Sequence, residues 1–301
     1  MADYAIVVTA PPGGTGRLGQ DAVQTPAKRW LGPQAFEWID PAPSSGKTAQ
    51  LVREWWHDKA QEIAAHGLDV NVVDTCDRRK RLLVADMEST IIEQEMLDEL
   101  ADLVGMRERV ADITARAMRG ELDFEAAIKE RVALLAGLDA SVLDELANSR
   151  ITYMPGARTL VATMKANGAY CALVSGGFTH FTAKVAAELG FDEHRANRLE
   201  IVDGKLTGRV IEPILGREAK REALTQLTGR LQLDKRQSIA VGDGANDISM
   251  LEAAGIGVAF RAKPVLRDLV ATLPDGAVIT HSDLTALLYL QGYTEDAFVA
   301  A

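Results

Sequence analysis

A chain of 301 residues with 47% hydrophobic side chains is long enough for about two domains and apolar enough to bury a full core, which excludes a disordered polymer. Its formal net charge of −10 excludes a general basic face, and with it nucleic acid or an anionic membrane as the main partner. Two cysteines, Cys76 and Cys171, are too few for a disulfide framework and lack metal-ligand spacing.

The N-terminus MADYAIVVTAPP has neither a basic start nor a long apolar stretch, so no signal peptide is expected. No run of about 18 apolar residues occurs, so no membrane span is expected either, and the expected location is cytoplasmic. Residues 1–78 read as a small N-terminal α/β domain. A strand-like YAIVVTA leads into PPGGTGRLG and then a Pro- and Gly-punctuated stretch, PQAFEWIDPAPSSGK. A helical pattern follows from about Thr48 to His66, anchored by Leu51, Trp55, Trp56 and Ile63, and GLDVNVV reads as a strand.

From Lys80 onward, apolar runs alternate with helical segments: RLLVAD, CALVSGG, SIAVGDG, GIGVAF and GAVIT. Continuous Val/Ile/Leu/Ala runs of this kind predict a Rossmann-like α/β core, a parallel sheet with helices on both faces. Residues 79–92 and 152–301 are assigned to that core. Residues 93–151 read as a helical cap inserted after the first core strand, over the ligand-binding edge of the sheet. Residues 198–212 read as a hairpin turning at Asp203-Gly204.

Chemistry-bearing residues fall at the ends of these strands, where open α/β sheets bind ligands. SIAVGDGANDISML sends Asp243 and Asp247 into that crevice around Asn246, and hard oxygen ligands there suit Mg²⁺. RLLVAD ends at Asp86, with Glu88 two residues on; one carboxylate could attack while the other handles a proton. An N-capping aspartate before a turn would look the same. CALVSGG offers the Ser175 hydroxyl and the amides of Gly176 and Gly177 as an anion nest, although Ser-Gly-Gly is also an ordinary turn. Lys220, in LGREAKREALTQL, offers a point charge to phosphate or merely a solvated helix face.

Together these residues gain meaning. Asp86, Ser175, Lys220 and Asp243 stand in the order, and in the elements, of the haloacid-dehalogenase-like phosphatases, whose motifs are D-x-D-x-T, a strand-end Ser or Thr, a Lys and G-D-x-x-x-D. The segments AMRGELDFEAAIKERVALLAG, VSGGFT and VGDGANDISMLEAAGIGVAFRAKP closely resemble the phosphoserine phosphatases within that family. The resemblance covers about residues 78–290. It implies Mg²⁺-dependent hydrolysis of phosphoserine, the last step of serine biosynthesis, through an aspartyl phosphate.

The resemblance also implies roles. Asp86 is the nucleophile and a metal ligand, joined on the metal by the backbone carbonyl of Glu88 and by Asp243. Ser175, Gly176, Lys220 and Asn246 hold phosphate, with Asp247 in support. Glu95 takes the substrate ammonium and Arg131 its carboxylate, beside Gly177, while Met118 and Phe124 close the cap over the site. The N-terminal domain would be a degenerate amino-acid-binding (ACT-like) module of regulatory or dimerising kind, which allows a homodimer.

One departure stands out: Glu88 occupies the position where the family carries Asp. The extra methylene displaces the carboxyl by about 1 Å, a shift that can cost on the order of a hundredfold in rate unless the surroundings compensate. General acid catalysis asks for a carboxyl of raised pKa rather than a particular length, so Glu88 is expected to work. The alternatives are a phosphotransferase to homoserine and a serine-sensing module with an impaired phosphatase core. Gly14-x-Gly16-x-x-Gly19 mimics a dinucleotide fingerprint but continues poorly into a helix, and Ser45-Gly46-Lys47-Thr48 mimics a P-loop but has Pro41 where the first glycine is required. The five histidines have no zinc spacing.

Overall fold

A computed structural model describes residues 4–13, 29–40, 66–118 and 121–300. The Thr48–His66 helical pattern and both glycine motifs fall outside these residues, except for His66 itself, which lies in a turn. Tyr4–Thr9 (β1), Arg29–Gly32 (β2), Ala35–Asp40 (β3) and Asp69–Asp74 (β4) form an antiparallel four-stranded sheet in the order β2-β3-β1-β4. The stretch that reads as irregular in the sequence therefore contains a hairpin, β2–β3. The misleading residue is Glu37, a charge in mid-strand. It is fully buried, and Arg29 and Arg78 both pair with it. A charge is tolerated inside only when paired in this way.

Leu82–Ala85 (β5), Tyr170–Phe178 (β6), Glu193–Val202 (β7), Lys205–Ile211 (β8), Ser238–Gly242 (β9), Ile256–Phe260 (β10) and Gly276–Ile279 (β11) build a seven-stranded sheet in the order β11-β10-β9-β5-β6-β7-β8. All pairs are parallel except β7–β8. β5 lies inside the sheet, and its alternate side chains serve opposite faces. Leu83 and Ala85 pack with Leu160 of Ala157–Ala166 (α5), Phe181 and Val185 of Thr179–Leu189 (α6) and Leu287 of Ala286–Leu290 (α10). Leu82 and Val84 pack with Leu224 and Leu227 of Arg217–Arg230 (α7), Met250 of Ile248–Ala253 (α8) and Leu266 of Pro264–Thr272 (α9). Both faces are thus covered, as the continuous apolar strands require, and each fully buried Leu or Val contributes about 1.5–3 kcal/mol.

Between β5 and α5 the described residues form four helices: Met96–Leu103 (α1), Arg107–Met118 (α2), Phe124–Ala133 (α3) and Ser141–Ser149 (α4). The Asp123 side chain caps α3, accepting from the Ala126 N–H at 2.7 Å. The β7–β8 hairpin turns at Asp203 and Gly204, whose φ of 50° and 75° suit a mirror-image turn. It also grips the link between α3 and α4. Gly137 N–H donates to Leu206 O at 2.8 Å, Leu206 N–H to Leu138 O at 2.9 Å, and Ala140 N–H to Gly204 O at 2.8 Å.

The two sheets meet edge to edge, β4 against β11. The Asn71 side chain imitates a strand there: its amide donates to Val278 O at 3.0 Å and its oxygen accepts from Val278 N–H at 2.7 Å. The Asp69 carboxylate accepts from the backbone N–H groups of Thr280, His281 and Ser282. Among the described residues, no helix is long and apolar enough to cross a membrane.

Candidate active site

β5 and β9 run side by side and release Asp86 and Asp243 at the same carboxyl edge of the sheet. The ladder continues one step past β5, where Asp86 N–H donates to Val241 O at 3.0 Å, so the Asp86 backbone is fixed beside β9. After Gly242 the chain turns through a short 3-10 segment, Ala245–Asp247. Asp247 folds back onto the strand end, and its Oδ2 accepts from Gly244 N–H at 3.1 Å. A Cβ on Gly242 would fall 2.3 Å from the Asp247 Cγ, so only glycine leaves room for that carboxylate.

Lys220 comes from α7 and is 3% exposed. Its Nζ lies 2.9 Å from Asp86 Oδ1 and 2.7 Å from Asp247 Oδ1. Burial alone would lower its pKa, but the carboxylates of Asp247 and Asp86 override that and raise it, so it stays charged. Lys220 thus pairs with two of the three buried carboxyls, Asp86 and Asp247. Burial, with Asp247 adding to it, pushes Asp86 up to about 8 against the pull of Lys220. Burial likewise lifts Asp243 to about 6, opposed by Lys263, whose Nζ lies 3.6 Å from Asp243 Oδ2.

Oxygens of Asp86, Asp243 and Asp247 all lie within 4.8 Å of one another. An all-oxygen set with excess negative charge fits Mg²⁺: a divalent cation would offset the burial and mutual repulsion of these carboxylates. Asp247, expected only in support, belongs to this group. The Glu88 carboxylate does not. It turns the other way, accepts from Met96 N–H at the start of α1 at 3.0 Å, and rests on Gly177. Burial and the neighbouring Glu95 push Glu88 up to about 8.

Ser175 is buried, and its Oγ accepts from Gly177 N–H at 2.9 Å, leaving the hydroxyl proton free to donate. Beside Gly177 lies a cavity of about 200 Å³. Asp86, Glu88, Glu95, Phe124, Arg131, Gly176, Gly177, Asp243 and Asn246 all line it; Lys220 and Asp247 are buried beside Asp86, and Ser175 is buried immediately before Gly176 in the chain. Glu95 accepts from the Ser89 hydroxyl at 2.9 Å. Arg131 projects from α3 and bonds the Ala127 carbonyl with its Nε at 3.3 Å. The Phe124 ring lies over Gly176 and Gly216. Met118 ends α2, and its side chain is outside the described residues.

Leu97, Asp98, Ile128, Phe178 and Lys263 also line the cavity and were not foreseen. For Lys263 a signal existed: it follows β10 in FRAKP, at the same edge as the other strand-end residues.

The haloacid dehalogenase-like hydrolase family matches residues 83–252, and the chain belongs to that family. Several similar curated proteins are phosphoserine phosphatases. The Streptomyces coelicolor phosphoserine phosphatase is 47% identical over 80% of this chain and 58% of its own length. The Polaromonas sp. phosphoserine phosphatase is 45% identical over 67% of this chain and 89% of its own. A HAD family hydrolase from Salmonella enterica serovar Typhi, of solved structure, superposes with a TM-score of 0.80 at 30% identity, covering 96% of this chain and 98% of that one. The chain spans little more than half the length of the Streptomyces enzyme and 53% of a phosphoserine phosphatase from Mycobacterium tuberculosis.

Proposed function

We propose that this chain hydrolyses O-phospho-L-serine to L-serine and phosphate, the last step of serine biosynthesis, in a Mg²⁺-dependent reaction through an aspartyl phosphate. One observation carries the reading. Asp86, pinned by Lys220, lines a cavity whose walls also bear the Glu95 carboxylate and the Arg131 guanidinium. Phosphoserine presents a phosphate, an ammonium and a carboxylate, which these groups complement one to one.

Glu95 takes the ammonium and Arg131 the carboxylate, leaving the phosphate over Asp86. The Asp86 carboxylate attacks phosphorus in line, forming an acyl phosphate as the bond to the serine oxygen breaks. Lys220, the Ser175 hydroxyl and the backbone amides about Gly176 and Gly177 hold the phosphoryl oxygens. Glu88, kept protonated by its surroundings, gives its proton to the departing serine oxygen, then takes one from the water that opens the acyl phosphate. Asp86, Asp243 and the Glu88 carbonyl, with Asp247 beside them, would hold Mg²⁺, which supplies Lewis-acid neutralisation of the phosphoryl oxygens. Cap helices α1–α4 exclude bulk water from the first step.

The test is phosphate release from L-phosphoserine with and without Mg²⁺. Release should need Mg²⁺ and disappear in Asp86→Asn. Homoserine added to the assay distinguishes hydrolysis from transfer: phosphohomoserine formed at the expense of free phosphate would overturn the hydrolase reading. An inert native chain made active by Glu88→Asp would instead mark an impaired core.

A further inference from the structure

The β6–β7 ladder breaks at the phosphate floor. Val174 pairs with Arg195 and the next pair is Phe178 with Asn197, so β6 spends four residues where β7 spends two. Ser175, Gly176 and Gly177 are thereby taken out of the ladder, and Gly176 and Gly177 line the cavity, a bulge of the kind that re-aims residues at a sheet edge. A bulge leaves backbone groups without ladder partners, and such groups when buried must find others.

The partner is Asn197, which is 1% exposed. Its amide donates to Gly176 O at 2.8 Å and to Leu215 O at 3.3 Å, and its oxygen accepts from Leu215 N–H at 2.7 Å. Leu215 immediately precedes Gly216, the N-cap of α7, and Lys220 lies in the first turns of that helix. One side chain therefore ties the bulge that carries Ser175 to the start of the helix that carries Lys220. The Phe124 ring from the cap rests on both sides of the tie, over Gly176 and Gly216.

We infer that Asn197 is a positioning residue for the phosphate subsite: it sets the spacing between the Ser175–Gly177 bulge and the origin of Lys220, without touching the substrate itself. This rests on the phosphatase reading of the same site. This amide ties the bulge to the origin of α7, whereas Glu95 precedes α1 and Arg131 stands on α3. Loosening Asn197 should therefore weaken the hold on phosphate and leave the hold on the amino-acid part alone.

The experiment is calorimetric binding of inorganic phosphate and, separately, of L-serine, each with Mg²⁺, to the full native chain and to Asn197→Ala. The expected result is phosphate affinity lowered by about tenfold or more with serine affinity unchanged, because a displacement of this kind is costly where geometry is tight. Asn197→Asp keeps the shape and the acceptor for Leu215 N–H but cannot donate to Gly176 O. It should show the same selective loss even if the alanine variant folds poorly. Unchanged phosphate affinity, or equal loss of both ligands, would overturn the inference. Phosphate binding needs no turnover, so a native chain that binds phosphate yet releases none from phosphoserine counts against the substrate reading alone, and the Asn197 comparison still decides the positioning role.

Discussion

Glu88 is one methylene longer than the aspartate of the family motif, and two neighbours absorb the difference. Met96 N–H anchors the carboxyl from the start of α1, and Gly177 gives way beneath it, since a Cβ there would fall 2.9 Å from Glu88 Oε1. Gly177→Ala should therefore push the acid out of line. We expect kcat for phosphoserine to fall by about tenfold to a hundredfold with KM little changed, measured by steady-state kinetics; an unchanged kcat would mean that the carboxyl works from elsewhere. Sequence made the strand-end residues legible, because Asp86, Ser175 and Asp243 each end an apolar run in a parallel sheet, and such ends converge. It did not make Asn197 or Phe178 legible. Their importance lies in a register break between β6 and β7, and no local pattern announces how many residues each strand spends.

At the scale of elements, the β7–β8 hairpin is the clasp that holds the α3–α4 link to the seven-stranded sheet. Gly208, in β8, has a φ of +80°, and a Cβ there would meet Ala136 Cβ at 2.8 Å. Gly208→Ala combines a left-handed backbone with a clash against the cap, so it should destabilise the chain by about 1–3 kcal/mol, read as a lower urea midpoint. A midpoint equal to the native one would mean that the clasp yields freely. The alternation of strand and helix after Lys80 was readable from hydrophobic runs alone, as was the hairpin turn at Asp203-Gly204. The β2–β3 hairpin was not: Glu37 breaks the apolar pattern of AFEWID, and of its partners Arg29 faces it from β2 while Arg78 comes from the segment after β4. Burial of a paired charge is a tertiary fact that composition does not carry.

At the scale of the whole molecule, the buried carboxyls couple stability to pH and, on the proposed reading, to Mg²⁺. An aspartate held at about 8 in the fold, as Asp86 is, and near 3.8 when unfolded favours the folded state fully only below the lower value. That contribution is lost as pH rises toward about 8, and Asp243, held at about 6, adds to the loss. The metal-free chain should therefore melt at a lower temperature at pH 8 than at pH 5, and Mg²⁺ should raise the melting temperature more at pH 8. Differential scanning calorimetry at both pH values checks this; an equal Mg²⁺ effect at both would disconnect the carboxyls from the cation. The seam between the sheets has a consequence of another kind. β11 is the last strand of the core sheet, and a bare outer strand is a template on which another chain can polymerise. Asn71 and Asp69 occupy the hydrogen-bonding groups of Val278 and of residues 280–282 that would otherwise serve as that template. The N-terminal sheet thus covers the edge on which another chain would otherwise pair.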